Sequence, residues 1–172
     1  MRLLVLLAVV ALGVEIAIAE PPAAGDVQAV IASQGGRAAI QKYFLCDDRG
    51  APAYAQVETG NKEWLGIAVR LLDDSDACVT ESLLSSIGSA LPKAPRNVLP
   101  LIDTKPLLVP SKICLPFMSD EDDPKDQLRY LRRVERTLNA LMEPSLKIAR
   151  DKCLTEVAEM RRLVRSRKPE PR

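Results

Sequence analysis

The four cysteines constrain the fold of this chain more than any other feature of its sequence. They stand at wide spacings without a C-x-x-C pair, at Cys46, Cys78, Cys114 and Cys153. An even number of cysteines in an exported chain favours disulfides, and four cysteines allow three pairings. We predict the pairs Cys46–Cys78 and Cys114–Cys153, because this arrangement closes each half of the chain separately.

The amino terminus has the pattern of a secretory signal peptide. Arg2 precedes an apolar run over residues 3–14, and Ala17 and Ala19 form an A-x-A cleavage pattern. A retained membrane anchor is the alternative, but Glu15 interrupts the run well short of the roughly 20 residues that a membrane span needs. We therefore predict cleavage after Ala19 and a periplasmic or secreted protein without stable membrane insertion.

The remainder suits one domain with a small disordered tail. We predict a signal peptide over residues 1–19, a single helical domain over 20–166 and a disordered tail over 167–172. The formal net charge is only +1, so the charge balance does not indicate nucleic-acid binding. Aromatic residues are few, and we expect a core of Leu, Val, Ile and Ala.

Helical periodicity and capping residues recur along the chain, and no segment shows convincing strand alternation. We expect N-caps at Asp26, Asn61, Asp76 and Asp123, the last followed by Pro124. One-face stripes follow three of these caps, and Trp64 lies in one of them as a predicted core residue. The final helix is predicted to point Cys153 inward, towards a connector over residues 104–123 that contains Cys114.

These patterns predict an all-α fold, namely an irregular multi-helix bundle that is cross-linked by disulfides and ends in a C-terminal antiparallel helix pair. A short α-solenoid arrangement of the middle helices is an open alternative, although no repeat is clear enough to establish it.

The absence of histidine excludes Ser-His-Asp and Cys-His catalytic units and His-containing zinc sites. G-x-S-x-G, S-x-x-K, G-x-G-x-x-G and Walker A motifs do not occur either. The cysteine spacing argues against thiol exchange and metal binding. The acidic runs at residues 73–76 and 119–123 lack the pattern of a calcium loop, and the expected role for them is that of solvated loops and caps. We therefore predict no catalytic residues, no cofactor and no metal.

One basic strip is a candidate partner-binding surface. It follows the polar face of one predicted helix and comprises Arg129, Arg132, Arg133 and Arg136. The strip could meet an acidic partner or anionic lipid, whereas a solvated face interleaved with glutamates is the simpler interpretation.

The block GNKEWLGIAVRLLDDSDACVTESLLSSIGSALPKAPRNVLPLID, followed by ICLPF, YLRRVERTLNAL and RDKCL, resembles a group of small exported helical proteins of Gram-negative bacteria whose function is uncharacterised. The resemblance covers Gly60 to Leu154. It implies a periplasmic helical domain and brings no catalytic residues with it.

The sequence thus predicts a non-enzymatic periplasmic domain with a protein-binding or structural role, whose partner is another protein. A periplasmic immunity protein that inhibits a delivered toxin is one alternative. A small-ligand carrier or a carboxylate-based enzyme is another, and the acidic runs are its only support.

Overall fold

The computed structural model describes residues 21–48, 50–116 and 123–167. The predicted signal peptide, residues 168–172 of the predicted tail and most of the second acidic run lie outside these residues. The fold is all-α within the described ranges, as the sequence predicts, with nine α-helices and no strand. The helices are α1 (Ala24–Gln34), α2 (Gly36–Tyr43), α3 (Ala51–Val57), α4 (Lys62–Leu71), α5 (Ala77–Ala90), α6 (Pro95–Val98), α7 (Pro110–Ile113), α8 (Pro124–Asn139) and α9 (Lys147–Ser166). Short 3₁₀ turns at Leu99–Leu101 and Pro144–Leu146 follow α6 and precede α9.

Both predicted disulfides are confirmed. Cys46–Cys78 joins the segment after α2 to the first turn of α5, and Cys114–Cys153 joins the end of α7 to the middle of α9. The two bonds differ in environment, because Cys114 and Cys153 are fully buried whereas Cys46 and Cys78 are exposed. The first pair is therefore a surface bond and the second a core bond.

Side-chain caps begin three of the helices where the sequence predicts them. The Asn61 side chain accepts from the amides of Glu63 and Trp64, Asp76 from Val79, and Asp123 from Lys125. The cap predicted at Asp26 is wrong, since α1 begins at Ala24 and Asp26 lies within its first turn. A carboxylate in the first turn is still stabilised by the positive end of the helix dipole, so Asp suits the first turn of a helix as well as its N-cap.

Two helices, α4 and α5, form the centre of the amino-terminal part. Helix α4 packs against α1, α2, α3, α5 and α6, while α5 packs against α3, α6 and α7. Phe44 is fully buried here, with its ring centroid 5.3 Å from that of Tyr54 and 6.5 Å from that of Trp64. Trp64 is a core residue, as predicted.

The last two long helices pack against each other. Arg161, late in α9, pairs with Glu135 of α8 at 2.5 Å, and Arg167 donates to Gln127 near the start of α8 at 3.1 Å. The second contact joins the end of α9 to the start of α8. The connector predicted over 104–123 contains one turn of helix, α7, which packs against both α5 and α9. Helix α7 and the buried disulfide thus link α9 to the rest of the core.

Candidate protein-binding surfaces

A groove of about 390 Å³ lies between the segment that follows α6 and the start of α9. Its walls come from two stretches of the chain that are distant in sequence. Most lining residues are apolar: Leu99, Pro100, Ile102, Leu146, Ile148 and Ala149, with Asp103 and Ser145 as the polar members. Polar atoms still form nearly half of the groove's surface, so the groove combines apolar side chains with polar groups, as binding sites usually do.

Asp103 fixes the first wall of the groove. It has a φ of +64°, in the left-handed region that Asp adopts more readily than most residues, and its amide donates to the carbonyl of Leu108 at 2.8 Å. The Asp103 carboxylate accepts from Lys152 Nζ of α9 at 2.5 Å. This bond ties the first wall directly to the helix that forms the second wall.

The connection between α8 and α9 is also held in place. Arg150 Nη1 donates to the carbonyl of Leu141 at 2.7 Å, and Arg96 Nε donates to Glu143 Oε1. The hydrogen bond from Arg96 holds the pKa of the Glu143 carboxyl below its usual range. Two hydrogen bonds therefore position the connection that leads into the second wall of the groove.

Two large apolar side chains are displayed at this end of the molecule. Ile148, which lines the groove, is 74% exposed, and Met142 in the connection is 82% exposed. A third exposed aliphatic residue, Leu163, is 58% exposed near the far end of α9. An exposed apolar side chain that lines a groove, as Ile148 does, favours an interaction site, whereas isolated exposed ones need no explanation.

The four arginines of the predicted basic strip lie on the exposed side of α8. Arg129, Arg132, Arg133 and Arg136 are all exposed, and the opposite face of the helix buries Gln127, Leu131, Val134 and Leu138. The Asp126 carboxylate lies 2.9 Å from the Arg129 guanidinium. The strip lines no part of the groove.

The first acidic run has local roles. Asp76 is a cap, Asp73 pairs with Lys105 at 2.5 Å, and Asp74 pairs with Arg70 at 3.0 Å. The hydrogen bond from Lys105 lowers the pKa of Asp73. In the second run, Asp123 is a cap and the other members lie outside the described residues.

Across the ranges that the structure describes, no group of His, Cys, Asp or Glu could hold a metal ion. In those same ranges no helix has the length and apolar character for a membrane span.

Another groove, of about 310 Å³, lies beside the surface disulfide and is lined in part by Cys46, Tyr54 and Ser82.

The sequence pointed to the basic strip as a candidate surface and gave no prediction of the groove. The available signal was Ile148, an aliphatic residue that falls outside the one-face stripe of the last helix. Comparison of the chain with known protein families, with curated proteins and with solved structures found no match.

Proposed function

We propose that this chain is a non-enzymatic protein-binding domain that works outside the cytosol, in the periplasm, and that holds an apolar side chain of a protein partner in the groove between residues 99–103 and 145–149. The observation that carries the proposal is Ile148, an apolar side chain that lines this groove and is mostly exposed. Met142, in the connection that leads to the second wall, is also mostly exposed. The two disulfides fit a location outside the reducing cytoplasm.

The exposed side chains favour a protein over a small ligand. A small molecule is normally enclosed on most sides, whereas the side chains of Ile148 and Met142 are mostly exposed to solvent. A protein surface covers both the groove and such projecting side chains. Apolar anchors in a pocket carry most of the binding energy in interfaces of this kind.

One wall of the groove is anchored to the core. The Lys152–Asp103 bond joins the two walls, and Cys153, the next residue, is disulfide-bonded in the core. A surface that is ordered before binding loses less conformational entropy when the partner binds.

Site-specific photo-crosslinking tests the proposal. A photoreactive amino acid is placed at position 148 or, as the matched control, at position 163 of the full chain, in the organism that makes it. The two positions lie on the same helix, about 22 Å apart at 1.5 Å per residue. We expect a discrete protein adduct in the periplasmic fraction from position 148 and none of that mass from position 163.

The adduct at position 148 should be lost when Met142→Asp is added and should survive addition of Leu163→Asp. Identical adduct patterns at both positions, or no protein adduct at 148, would contradict the proposal. Native mass spectrometry provides the other decisive reading: a small apolar molecule retained by the wild type and lost on Ile148→Lys would favour a small-ligand carrier instead.

A further inference from the structure

The outer face of α8 is a continuous row of cations. It comprises Lys125 and the strip arginines, and we call it the basic face: Lys125, Arg129, Arg132, Arg133 and Arg136. All five residues are exposed. At 1.5 Å per residue, the row extends about 16 Å along the helix.

Among the residues that the structure describes, most of these cations have no ionic partner. Asp126 pairs with Arg129, but no ion pair joins Lys125, Arg132, Arg133 or Arg136 to a carboxylate of the described residues. Elsewhere, many cations have such partners, among them Arg70, Arg96, Lys105, Lys147, Arg150, Lys152 and Arg161. Cations without an ion pair to a described carboxylate also occur elsewhere, for example at Lys62 and Lys93, but on α8 they lie along one helix face.

The spacing within the row adds mutual repulsion. Arg129 and Arg133 are four residues apart, as are Arg132 and Arg136, and like charges at this spacing destabilise a helix. The chain as a whole has a net charge of only +1, so the five cations of this face are balanced by carboxylates in other parts of the chain. A bound polyanion would relieve the repulsion.

The chemistry of the row and the packing of α8 together favour a polypeptide anion. Four of the five cations are guanidiniums, which bind carboxylates and phosphates through two parallel hydrogen bonds. Leu131, Val134 and Leu138 on the other side of α8 are fully buried in the core, so the helix has no free apolar face to insert into a bilayer. We infer that the basic face binds an acidic polypeptide segment, with several Asp or Glu side chains along one line. This surface is separate from the groove, so the inference goes beyond the proposed function and is tested independently of it.

Fluorescence anisotropy with a labelled oligoglutamate tests the inference on the full mature chain. A helical peptide of about eleven residues, or an extended one of about five, matches the length of the row, so a probe of about ten residues suffices. We expect binding that weakens as salt increases, because the charges are exposed. An oligoglutamine of the same length is the uncharged control and should not bind.

A charge-matched pair of variants separates the basic face from net charge. The test variant is Arg129→Gln, Arg132→Gln, Arg133→Gln and Arg136→Gln together. The control removes the same charge from four exposed cations on other parts of the surface: Arg37→Gln, Lys62→Gln, Lys93→Gln and Lys112→Gln. We expect the test variant to lose affinity by about tenfold or more and the control to change by about twofold or less. Circular dichroism verifies that both variants fold.

A further variant and a second probe identify the chemistry of the ligand. Replacing the four arginines by lysine should give a loss between those of the control and the test variant, because lysine keeps the charge but not the paired geometry. Equal losses in the test and control variants, or no oligoglutamate binding at low salt, would overturn the inference. A third result would also overturn it: binding to phosphatidylglycerol vesicles that depends on the four arginines, without binding to oligoglutamate. The ligand would then be an anionic membrane.

Discussion

Cys114 and Cys153 form a disulfide in which both residues are fully buried, and this bond joins α7 to the helix that builds one wall of the groove. The bond closes a loop of 39 residues. In the chain-entropy model, such a loop restricts the unfolded state by about 4 kcal/mol.

We therefore expect the double substitution Cys114→Ala and Cys153→Ala to lower the free energy of unfolding by about 4 kcal/mol. Urea denaturation followed by circular dichroism measures the change. A loss below about 1 kcal/mol would show that the unfolded chain gains little freedom when the bond is absent.

The two disulfides should differ in their reaction with a reductant. Cys46 and Cys78 are exposed, whereas the other pair is buried, and thiol–disulfide exchange requires access for the attacking thiolate. Under native conditions with mild dithiothreitol, alkylation should modify Cys46 and Cys78 first, as mapped by peptide mass spectrometry. In urea the difference should disappear. Preferential alkylation of Cys114 and Cys153 in the native protein would contradict the structure.

Whether a feature could be predicted from the sequence depends on how far apart in the chain its interacting residues lie. The caps at Asn61, Asp76 and Asp123 were predictable because each depends on an amide two or three residues away. The disulfide pairing was a choice among three, and the pairing that closes each half of the chain separately is the one that the structure shows. The groove was not predictable, since its walls are distant in sequence and meet only through packing and the Lys152–Asp103 bond. Similarly, the sequence did not reveal which cations on α8 lack an ion pair.

The Asp76 cap gives a local test of helix α5. Asp76→Ala removes the acceptor for the Val79 amide, which lies 3.0 Å away, and should cost about 1 kcal/mol of unfolding free energy. Asp73→Ala is the matched control, because Asp73 belongs to the same acidic run but makes exposed ion pairs. Chemical denaturation of the two variants should show the larger loss for Asp76→Ala. Equal losses would mean that charge and not capping stabilises this turn.

Ile148 should be dispensable for folding. Its side chain is mostly exposed, so Ile148→Ala should change the unfolding free energy by less than about 0.5 kcal/mol. Leu138→Ala is the contrast: Leu138 is fully buried, and its truncation should cost about 2 to 5 kcal/mol. Thermal and urea unfolding measure both changes. A large loss at Ile148 would show that this residue belongs to the core and would remove the support that its exposure gives to the proposed binding role.

The ion pair between Arg96 and Glu143 predicts a specific effect of pH at the connection that leads into the groove. Arg96 holds the pKa of Glu143 below its ordinary value of 4.5, so the pair contributes stability above pH 4.5 and loses it as the pH falls through the folded-state pKa. Arg96→Gln should return the pKa of Glu143 towards 4.5, as measured by NMR titration of the side-chain carboxyl. The stability difference between wild type and Arg96→Gln should accordingly be present at neutral pH and vanish in acid. As the control, Arg96→Gln in a Glu143→Gln background should leave the pH dependence of stability unchanged. If the pKa of Glu143 is the same with and without Arg96, the two groups do not interact in solution.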